Sequence, residues 1–167
     1  MKLKFLGGAQ EVGRSGVLAE DENNRVILDY GIKVDSEEPY PLQPKGYVDG
    51  VILSHTHLDH SGFIPFLYRK SEMHTYMTPP TVPLVELLAR DTLKIATEEN
   101  IPIPFGETEV KRMLRNTVHV KYDKRKQITP DVSFRFMDAG HIVGSSMIDM
   151  DFNGTNILYT GDFNLHP

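Results

Sequence analysis

A chain of 167 residues is long enough to fold as one domain around a hydrophobic core. Hydrophobic residues make up 40% of it and charged residues 25%, proportions typical of a water-soluble globular protein. Because cysteine is absent, disulfide bonds and thiolate metal sites are excluded, and any metal must be bound by nitrogen and oxygen atoms. The net charge of −5 makes a general nucleic-acid-coating surface unexpected, although a local basic patch remains compatible with it.

The sequence also predicts the compartment. No apolar run approaches the ~20 residues that a membrane-spanning helix needs. Residues 1–8 are too few and too interrupted by glycine for a secretory leader. The lack of cysteine suits a reducing environment, so we expect a cytoplasmic protein without a membrane partner.

The N-terminal segment predicts three strands. Residues 2–6 form the first, and residues 17–19 and 25–28 form a hairpin. Residues 8–16 are glycine-rich and allow two interpretations, a tight-turn connector or a loop that lines a substrate. A phosphate-binding P-loop is excluded because the Gly-Lys-Ser/Thr ending is missing. Asp29, at the end of the hairpin, is interpreted either as a turn cap or as a partner that orients metal-binding histidines.

The densest chemical motif follows, and it has the form H-x-H-x-D-H. Its members are His55, His57, Asp59 and His60. Apolar residues 48–53 precede it and apolar residues 63–67 follow it, which predicts a loop that leaves a buried strand just before a helix at residues 61–70. Four metal-binding side chains within six residues are best explained by metal ions between them.

The rest of the chain alternates between predicted helices and strands. Helices are expected at residues 82–100 and 107–116, and strands at residues 74–78, 118–122, 132–136, 146–152 and 156–159. The last two strands form a hairpin closed by Asn153 and Gly154. The first helix should direct Val82, Val85, Leu88, Thr92 and Ile95 inward, and the second Val110, Met113 and Leu114. The charged turn at residues 123–126 is interpreted as a solvated tip rather than an RNA contact.

Two more candidate ligands lie where apolar strands end beside glycine. His141 stands between Gly140 and Gly144, and Asp162 follows Gly161. Together with the cluster they supply nitrogen and oxygen ligands that suit two divalent ions, zinc by default, with manganese or iron as alternatives. Two ions ~4 Å apart would serve the hydrolysis of a phosphodiester or another activated ester. The remaining histidines, His74, His119 and His166, have no partner cluster and are interpreted as structural or solvent-exposed.

Four sequence strings resemble one protein family. They are G-G-A-Q-E-V-G-R-S-G at residues 7–16, H-T-H-L-D-H-S-G-F-I-P at 55–65, A-G-H-I-V-G-S-S at 139–146 and Y-T-G-D-F at 159–163. They look like the metallo-β-lactamase superfamily and, more narrowly, its β-CASP branch of RNA-processing nucleases. That branch includes RNase J and the endonuclease subunit of the cleavage and polyadenylation specificity factor, with archaeal relatives. The histidine motif alone marks only the superfamily, whereas the flanking strings are more specific.

The resemblance implies an α/β fold, the αββα four-layer sandwich, represented by its N-terminal portion. It implies that one zinc is held by His55, His57 and His141, and a second by Asp59 and His60. Asp162 then bridges the two ions, Asp29 supports the cluster, and Asp59 and Asp162 are the candidate catalytic carboxylates. The implied reaction is zinc-dependent hydrolysis of RNA phosphodiester bonds.

Full members of the family continue beyond the Y-T-G-D-F string. An inserted β-CASP domain and a C-terminal return follow, and the return adds a further histidine ligand for the second zinc. We therefore expect residues 1–167 to be the N-terminal part of a metallo-β-lactamase domain, without those two parts. The second metal should then bind weakly and the activity should be impaired.

Two rival functions remain open. One is a hydrolase of small esters or thioesters similar to the glyoxalases, and the A-G-H-I-V-G-S-S string is unfavourable for it. The other is a non-catalytic partner subunit of an RNA-processing complex, for which the filled ligand positions are unfavourable. RNA is the expected partner, and a homodimer or a larger RNA-processing complex is compatible with the sequence.

Overall fold

The computed structural model describes residues 1–165, which form two β-sheets and a layer of helices. The strands are β1 (Lys2–Gly7), β2 (Gly16–Glu20), β3 (Arg25–Leu28), β4 (Gly50–Ile52), β5 (His74–Met77), β6 (Thr117–His119), β7 (Lys126–Thr129), β8 (Val132–Asp138), β9 (Ser146–Phe152) and β10 (Thr155–Tyr159). The helices are α1 (Leu58–Ser61), α2 (Ile64–Leu67), α3 (Thr81–Glu98) and α4 (Glu107–Arg115).

The first sheet changes from antiparallel to parallel pairing in its middle. Its order is β1-β2-β3-β4-β5-β6, with antiparallel pairs from β1 to β3 and parallel pairs from β3 to β6. Parallel neighbours need crossover connections, which here contain the helices. The carboxyl ends of β3, β4 and β5 consequently meet at one edge of the sheet.

The second sheet is antiparallel throughout and has the order β10-β9-β8-β7. Its strands show the alternating burial that the sequence pattern predicts, with Phe134, Phe136, Ile148 and Met150 fully buried. The predicted turn between β9 and β10 is confirmed, since Asn153 and Gly154 both have positive φ angles, 51° and 78°.

Two hydrophobic cores hold three layers together. One core lies between the sheets, where Val26 and Ile52 of the first sheet pack with Phe134 and Phe152 of the second. The other lies between the first sheet and the helices, where Ile27 and Val51 pack with residues such as Val110. The first sheet is therefore buried on both faces, which explains why β3 and β4 are continuous apolar runs. The expected α/β sandwich is confirmed.

Two predicted helices differ from the structure. The single helix expected at residues 61–70 is replaced by α1 and α2, because Pro65 has no backbone N–H to continue α1 and instead lies in the first turn of α2. Asp59 consequently lies inside a short helix rather than on the loop before one. In α3 the inward position assigned to Ile95 is wrong: that side chain is 42% exposed, and Ala96 is buried in its place.

The prediction for residues 118–126 was also partly wrong. The strand β6 ends at His119, and the segment expected to be only a charged turn leads into β7, which begins at Lys126. Lys126 pairs with Phe134 across the sheet. Alternation in β7 is too short to be recognised as a strand pattern without its neighbour β8.

We expect Phe134→Ala to destabilise the fold by about 3–5 kcal/mol, because its ring fills the core between the sheets and contacts Tyr76 and Phe136 at centroid distances of 5.3 and 5.1 Å. Denaturant unfolding followed by circular dichroism measures this loss. Phe5→Ala is the control, since Phe5 is 61% exposed and its removal should change the unfolding free energy by about 0.5 kcal/mol or less. Equal effects of the two substitutions would contradict the assignment of the core.

Candidate metal centre

The candidate ligands converge where both sheets end. The segment with the H-x-H-x-D-H motif leaves β4, and Asp29 directly follows β3. His141 lies three residues beyond the end of β8, and Asp162 lies three residues beyond β10. Each sheet thus supplies part of the site, and all the predicted site residues are brought together.

One group of ligand atoms forms a four-residue cluster. It consists of His55, His57, His141 and Asp162, whose ligand atoms all lie within 4.8 Å of one another. His55 Nε2 lies 3.1 Å from His57 Nδ1, and His141 Nε2 lies 3.4 Å from the same atom. The Asp162 carboxylate closes the group, with Oδ2 3.9 Å from His55 Nε2 and 3.7 Å from His141 Nε2. Three imidazoles and one carboxylate form a suitable donor set for a four-coordinate divalent ion.

A second, smaller group shares Asp162 with the first. His60 Nε2 lies 3.6 Å from Asp59 Oδ2 and 3.5 Å from Asp162 Oδ1. The two oxygens of Asp162 therefore face different groups, Oδ2 the three histidines and Oδ1 the His60 ring. This is the arrangement that a carboxylate needs in order to bridge two ions.

The buried carboxylate of Asp29 connects the two groups from behind. Its Oδ1 accepts the backbone N–H of Ser54 at 2.7 Å. Its Oδ2 interacts with the Ser54 hydroxyl and His60 Nδ1, both at 2.7 Å, and with the Tyr159 hydroxyl at 2.8 Å. Asp29 is fully buried, and its backbone has a positive φ of 55°. Aspartate tolerates this left-handed conformation better than most residues, and the conformation ends β3 with the carboxylate facing the site.

These hydrogen bonds determine which imidazole nitrogens are free for a metal. The Ser54 hydroxyl donates its one proton to Asp29, so its oxygen accepts from His55 Nδ1, which lies 3.0 Å away. His60 Nδ1 likewise donates to the Asp29 carboxylate. In both rings the proton is held at Nδ1, and the Nε2 lone pair is directed into the cluster. Such carboxylate–histidine contacts are typical of metal ligands.

The pKa shifts of the buried groups follow from these contacts. Burial, with the nearby charge of His60, lowers the pKa of His55 to about 4, so its ring is neutral and able to ligate at neutral pH. Burial alone would raise the pKa of Asp29, but the hydrogen bond and charge of His60 and the donors of Ser54 bring it below its usual range. Burial alone would lower the pKa of His60, whereas the hydrogen bond to Asp29 raises it. Burial and the charge of Asp29 raise the pKa of Tyr159 and keep its hydroxyl protonated as a donor.

Two glycines permit the close backbone contacts around the cluster. A Cβ added to Gly31 would lie 1.8 Å from the carbonyl oxygen of Asp59 in α1. Only glycine therefore lets the segment after Asp29 pass this close to α1. A Cβ at Gly161 would lie 2.8 Å from Ser54 Oγ, and Gly161 has a positive φ of 51°. The absence of a side chain at Gly161 brings Asp162 towards the histidines.

The structure also shows what sequence reasoning missed and what it left open. Ser54 and Tyr159 were not predicted as site residues, although Ser54 directly precedes one recognised motif string and Tyr159 is the first residue of another. Asp29 contacts His60 directly and His55 through Ser54, which is the geometry that the orienting interpretation needs, and that interpretation stays a prediction. The glycine-rich loop contacts the site from behind, since the Ser15 backbone N–H donates to the Asp59 carbonyl at 2.8 Å. Its substrate-lining interpretation stays a prediction.

The histidines that were interpreted as structural lie elsewhere. His74 begins β5, and its Nδ1 contacts the Asn116 carbonyl at 3.3 Å. His119 ends β6 and is exposed. Neither belongs to the cluster of ligand atoms, while His166 lies outside the described residues.

Comparison with known proteins decides the family. The protein-family model of the metallo-beta-lactamase superfamily domain matches residues 17–166 of this chain. The chain belongs to this superfamily. A crystal structure of a protein of unknown function from Enterococcus faecalis superposes with a TM-score of 0.72 at 20% identity, covering 98% of this chain and 44% of the other, which shows the shared fold. Membership of the superfamily implies binding of divalent metal, and the donor set of the cluster suits it.

Several archaeal relatives match almost the whole chain. A transcription termination factor, FttA, from Methanothermobacter thermautotrophicus is 39% identical over 97% of this chain and 27% of its own length. Two Methanocaldococcus jannaschii proteins, a probable RNase MJ4 and an RNase J-like protein, are 38% and 41% identical over 99% and 97% of this chain. The chain spans 39% and 36% of their lengths. The resemblance seen in the motif strings is thereby confirmed.

Asp29→Asn should weaken metal binding by about 10–100-fold, because an amide cannot accept all the hydrogen bonds that orient His55 and His60. It should also reduce the unfolding free energy of the metal-free chain by about 1–3 kcal/mol, since buried donors lose their acceptor. Competition with a chromophoric chelator and denaturant titration measure the two effects.

The matched control for this substitution is Asp35→Asn. Asp35 has the same left-handed backbone, with φ of 56°, but it is exposed and does not belong to the cluster of ligand atoms. If Asp29→Asn bound metal as tightly as Asp35→Asn, the orienting role of Asp29 would be wrong.

Proposed function

We propose that the chain carries the metal centre of a hydrolase that cleaves RNA phosphodiester bonds with two zinc ions. The observation that supports this most directly is the Asp162 carboxylate, whose two oxygens face the two ligand groups separately. Bound zinc would supply an activated water and neutralise charge on the phosphoryl group. Three imidazoles in the first group favour zinc, and manganese or iron would be accepted by the same donors.

Each ligand has a defined task in this proposal. His55, His57 and His141 hold the first ion, Asp59 and His60 hold the second, and Asp162 bridges them. Asp29 fixes the proton at Nδ1 of His55, through Ser54, and directly at Nδ1 of His60. The Asp162 side chain is 48% exposed and His141 is 28% exposed, whereas His55 is 1% exposed. The cluster is therefore closed behind His55 and open to solvent at Asp162, the side where a large substrate would approach.

RNA is proposed as the substrate because the relatives are named as a probable RNase, an RNase J-like protein and a transcription termination factor. A glyoxalase-like activity has no comparable support among them. A non-catalytic role is less well supported, because all six predicted ligands are present and brought together. None of the helices within residues 1–165 is long and apolar enough to cross a membrane. We propose the cytoplasm as the compartment, on the absence of cysteine.

The relatives are considerably longer than this chain, so the activity of the complete protein is part of the proposal. That residues 1–167 form the N-terminal part of a longer metallo-β-lactamase domain remains a prediction. The second ligand group has two residues of its own, Asp59 and His60, and shares Asp162 with the first. A second ion should consequently bind more weakly than the first.

Purified residues 1–167 should therefore retain about one zinc per chain after extensive dialysis, because only the first group offers four donors. His57→Ala should lose this zinc, since His57 Nδ1 contacts both His55 and His141. Metal analysis of the dialysed proteins measures the content. His119→Ala is the control and should keep the wild-type content; equal contents in all three proteins would contradict the assignment.

Cleavage of a labelled single-stranded RNA tests the reaction itself. We expect weak cleavage by this chain that is abolished by a chelator, restored by added zinc and reduced by about 100-fold or more in Asp162→Asn. Chromogenic p-nitrophenyl esters and a glutathione thioester serve as competing substrates. Hydrolysis of the thioester without cleavage of RNA would overturn the proposed substrate, and strong cleavage of RNA with two tightly bound zinc ions would overturn the predicted weakness of the second site.

A further inference from the structure

The carbonyl oxygen of Gly144 lies against two buried threonine hydroxyls. Thr78 Oγ1 donates to it at 2.7 Å and Thr81 Oγ1 lies within donating distance at 3.0 Å. The two hydroxyls are 2.8 Å apart, and each threonine is 1% exposed. A carbonyl oxygen has two lone pairs, so it can accept from both side chains. We call this group the threonine clamp, consisting of Thr78, Thr81 and the Gly144 carbonyl.

The threonine clamp joins two layers of the fold beside the metal centre. Thr78 directly follows β5 of the first sheet and Thr81 begins α3, whereas Gly144 belongs to the loop between β8 and β9 of the second sheet. Gly144 has a φ of +83°, and a Cβ there would lie 2.6 Å from Thr81 Oγ1. The absence of a side chain is what allows the loop to approach the two hydroxyls so closely.

The same loop carries His141, three residues before Gly144. Within it, the Ser145 hydroxyl oxygen lies 3.2 Å from the backbone nitrogen of His141 and 3.1 Å from that of Ile142. The Ser146 backbone N–H then donates to the Ser54 carbonyl at 2.8 Å, next to His55. The Tyr122 hydroxyl also donates to the Ser145 carbonyl at 2.8 Å. The loop is therefore hydrogen-bonded within itself and is attached to Ser54, to Tyr122 and to the threonine clamp.

His141 is the one histidine of the cluster that comes from the second sheet. Its Nε2 lies 3.4 Å from His57 Nδ1, across the junction between the sheets. A shift of the loop by about 1 Å would move this nitrogen out of the geometry that four-coordinate zinc requires, in which Zn–N distances vary by only a few tenths of an ångström. Ser146 holds one end of the loop, and the threonine clamp holds Gly144, three residues after His141.

We propose that Thr78 and Thr81 are positioning residues for His141, and that their hydroxyls set the metal affinity of the first ligand group by holding the Gly144 carbonyl. This inference rests on the proposed metal centre. Neither threonine contacts a ligand atom of the cluster, so their influence acts through the loop. The hydroxyls are required for this role, because a methyl group in their place would leave the buried carbonyl without these donors.

The test compares zinc affinities of purified chains by competition with a chromophoric chelator. The double variant Thr78→Val, Thr81→Val keeps the side-chain shape and removes both hydroxyls, and we expect it to bind zinc about 10–100-fold more weakly. The double variant Thr78→Ser, Thr81→Ser keeps the hydroxyls and should bind within about threefold of wild type. Thr81→Val alone should give an intermediate loss and serves if the double variant does not fold.

Thr75→Val is the matched control. Thr75 is a fully buried threonine near the start of β5, the strand that Thr78 directly follows, and its hydroxyl bonds to Tyr68. We expect it to lower the stability of the metal-free chain while leaving zinc affinity unchanged. Unfolding of every metal-free variant is measured in parallel, so that a loss of affinity can be separated from a loss of fold.

A double-mutant cycle with His141→Ala distinguishes positioning from general stabilisation. If the threonines act through His141, adding the two valine substitutions to His141→Ala should weaken zinc binding by less than about twofold further.

An unchanged zinc affinity in the valine variants, or an equal loss of affinity with and without His141, would overturn the proposal. A wild-type chain that binds no zinc would overturn the metal centre and the positioning role together, whereas normal wild-type binding with an unaffected valine variant would overturn the positioning role alone.

Discussion

The metal centre depends on one buried carboxylate that accepts several hydrogen bonds. Burying a charge is costly unless it is fully hydrogen-bonded, and Asp29 receives donors from Ser54, His60 and Tyr159. These three residues come from the segment after β4 and from the end of β10, so the carboxylate joins the two sheets at the site. The same contacts fix the tautomers of His55 and His60. One electrostatic requirement therefore shapes both the junction of the sheets and the direction of the metal-binding lone pairs.

The two-sheet architecture explains why the ligands are so widely separated in the sequence. The carboxyl edge of the parallel strands presents the histidine motif, and the antiparallel sheet adds His141 and Asp162 across the junction. Packing of Phe134 and Phe152 against the first sheet holds the sheets at a fixed separation. Ligand atoms from opposite sheets, in His57 and His141, lie 3.4 Å apart, and those from one sheet, in His55 and His57, lie 3.1 Å apart. The core between the sheets must be well packed to hold the atoms of opposite sheets this close.

Side-chain exposure divides the site into a buried rear side and a solvent-exposed front side. His55 and Asp29 are buried among polar partners, while Asp162 and Asp59 have side chains that are 48% and 35% exposed. A buried rear preorganises the ligands, and an open front leaves room for a substrate that is too long to be enclosed. This division agrees with the proposed RNA substrate and with relatives that are much longer than this chain.

The sequence by itself determined the family and the strands that lead to the site, and it predicted the candidate ligands, because a short motif, apolar runs and glycine positions are local properties. It predicted His141 and Asp162 as ligands, but only the tertiary structure brought them to within 4 Å of the motif, since their approach depends on how two sheets pack. The tertiary structure also decided the contacts of Ser54 and Tyr159 and divided one predicted helix into α1 and α2. Hydrogen bonds between residues 25 or 130 positions apart leave no periodic signal in a single sequence.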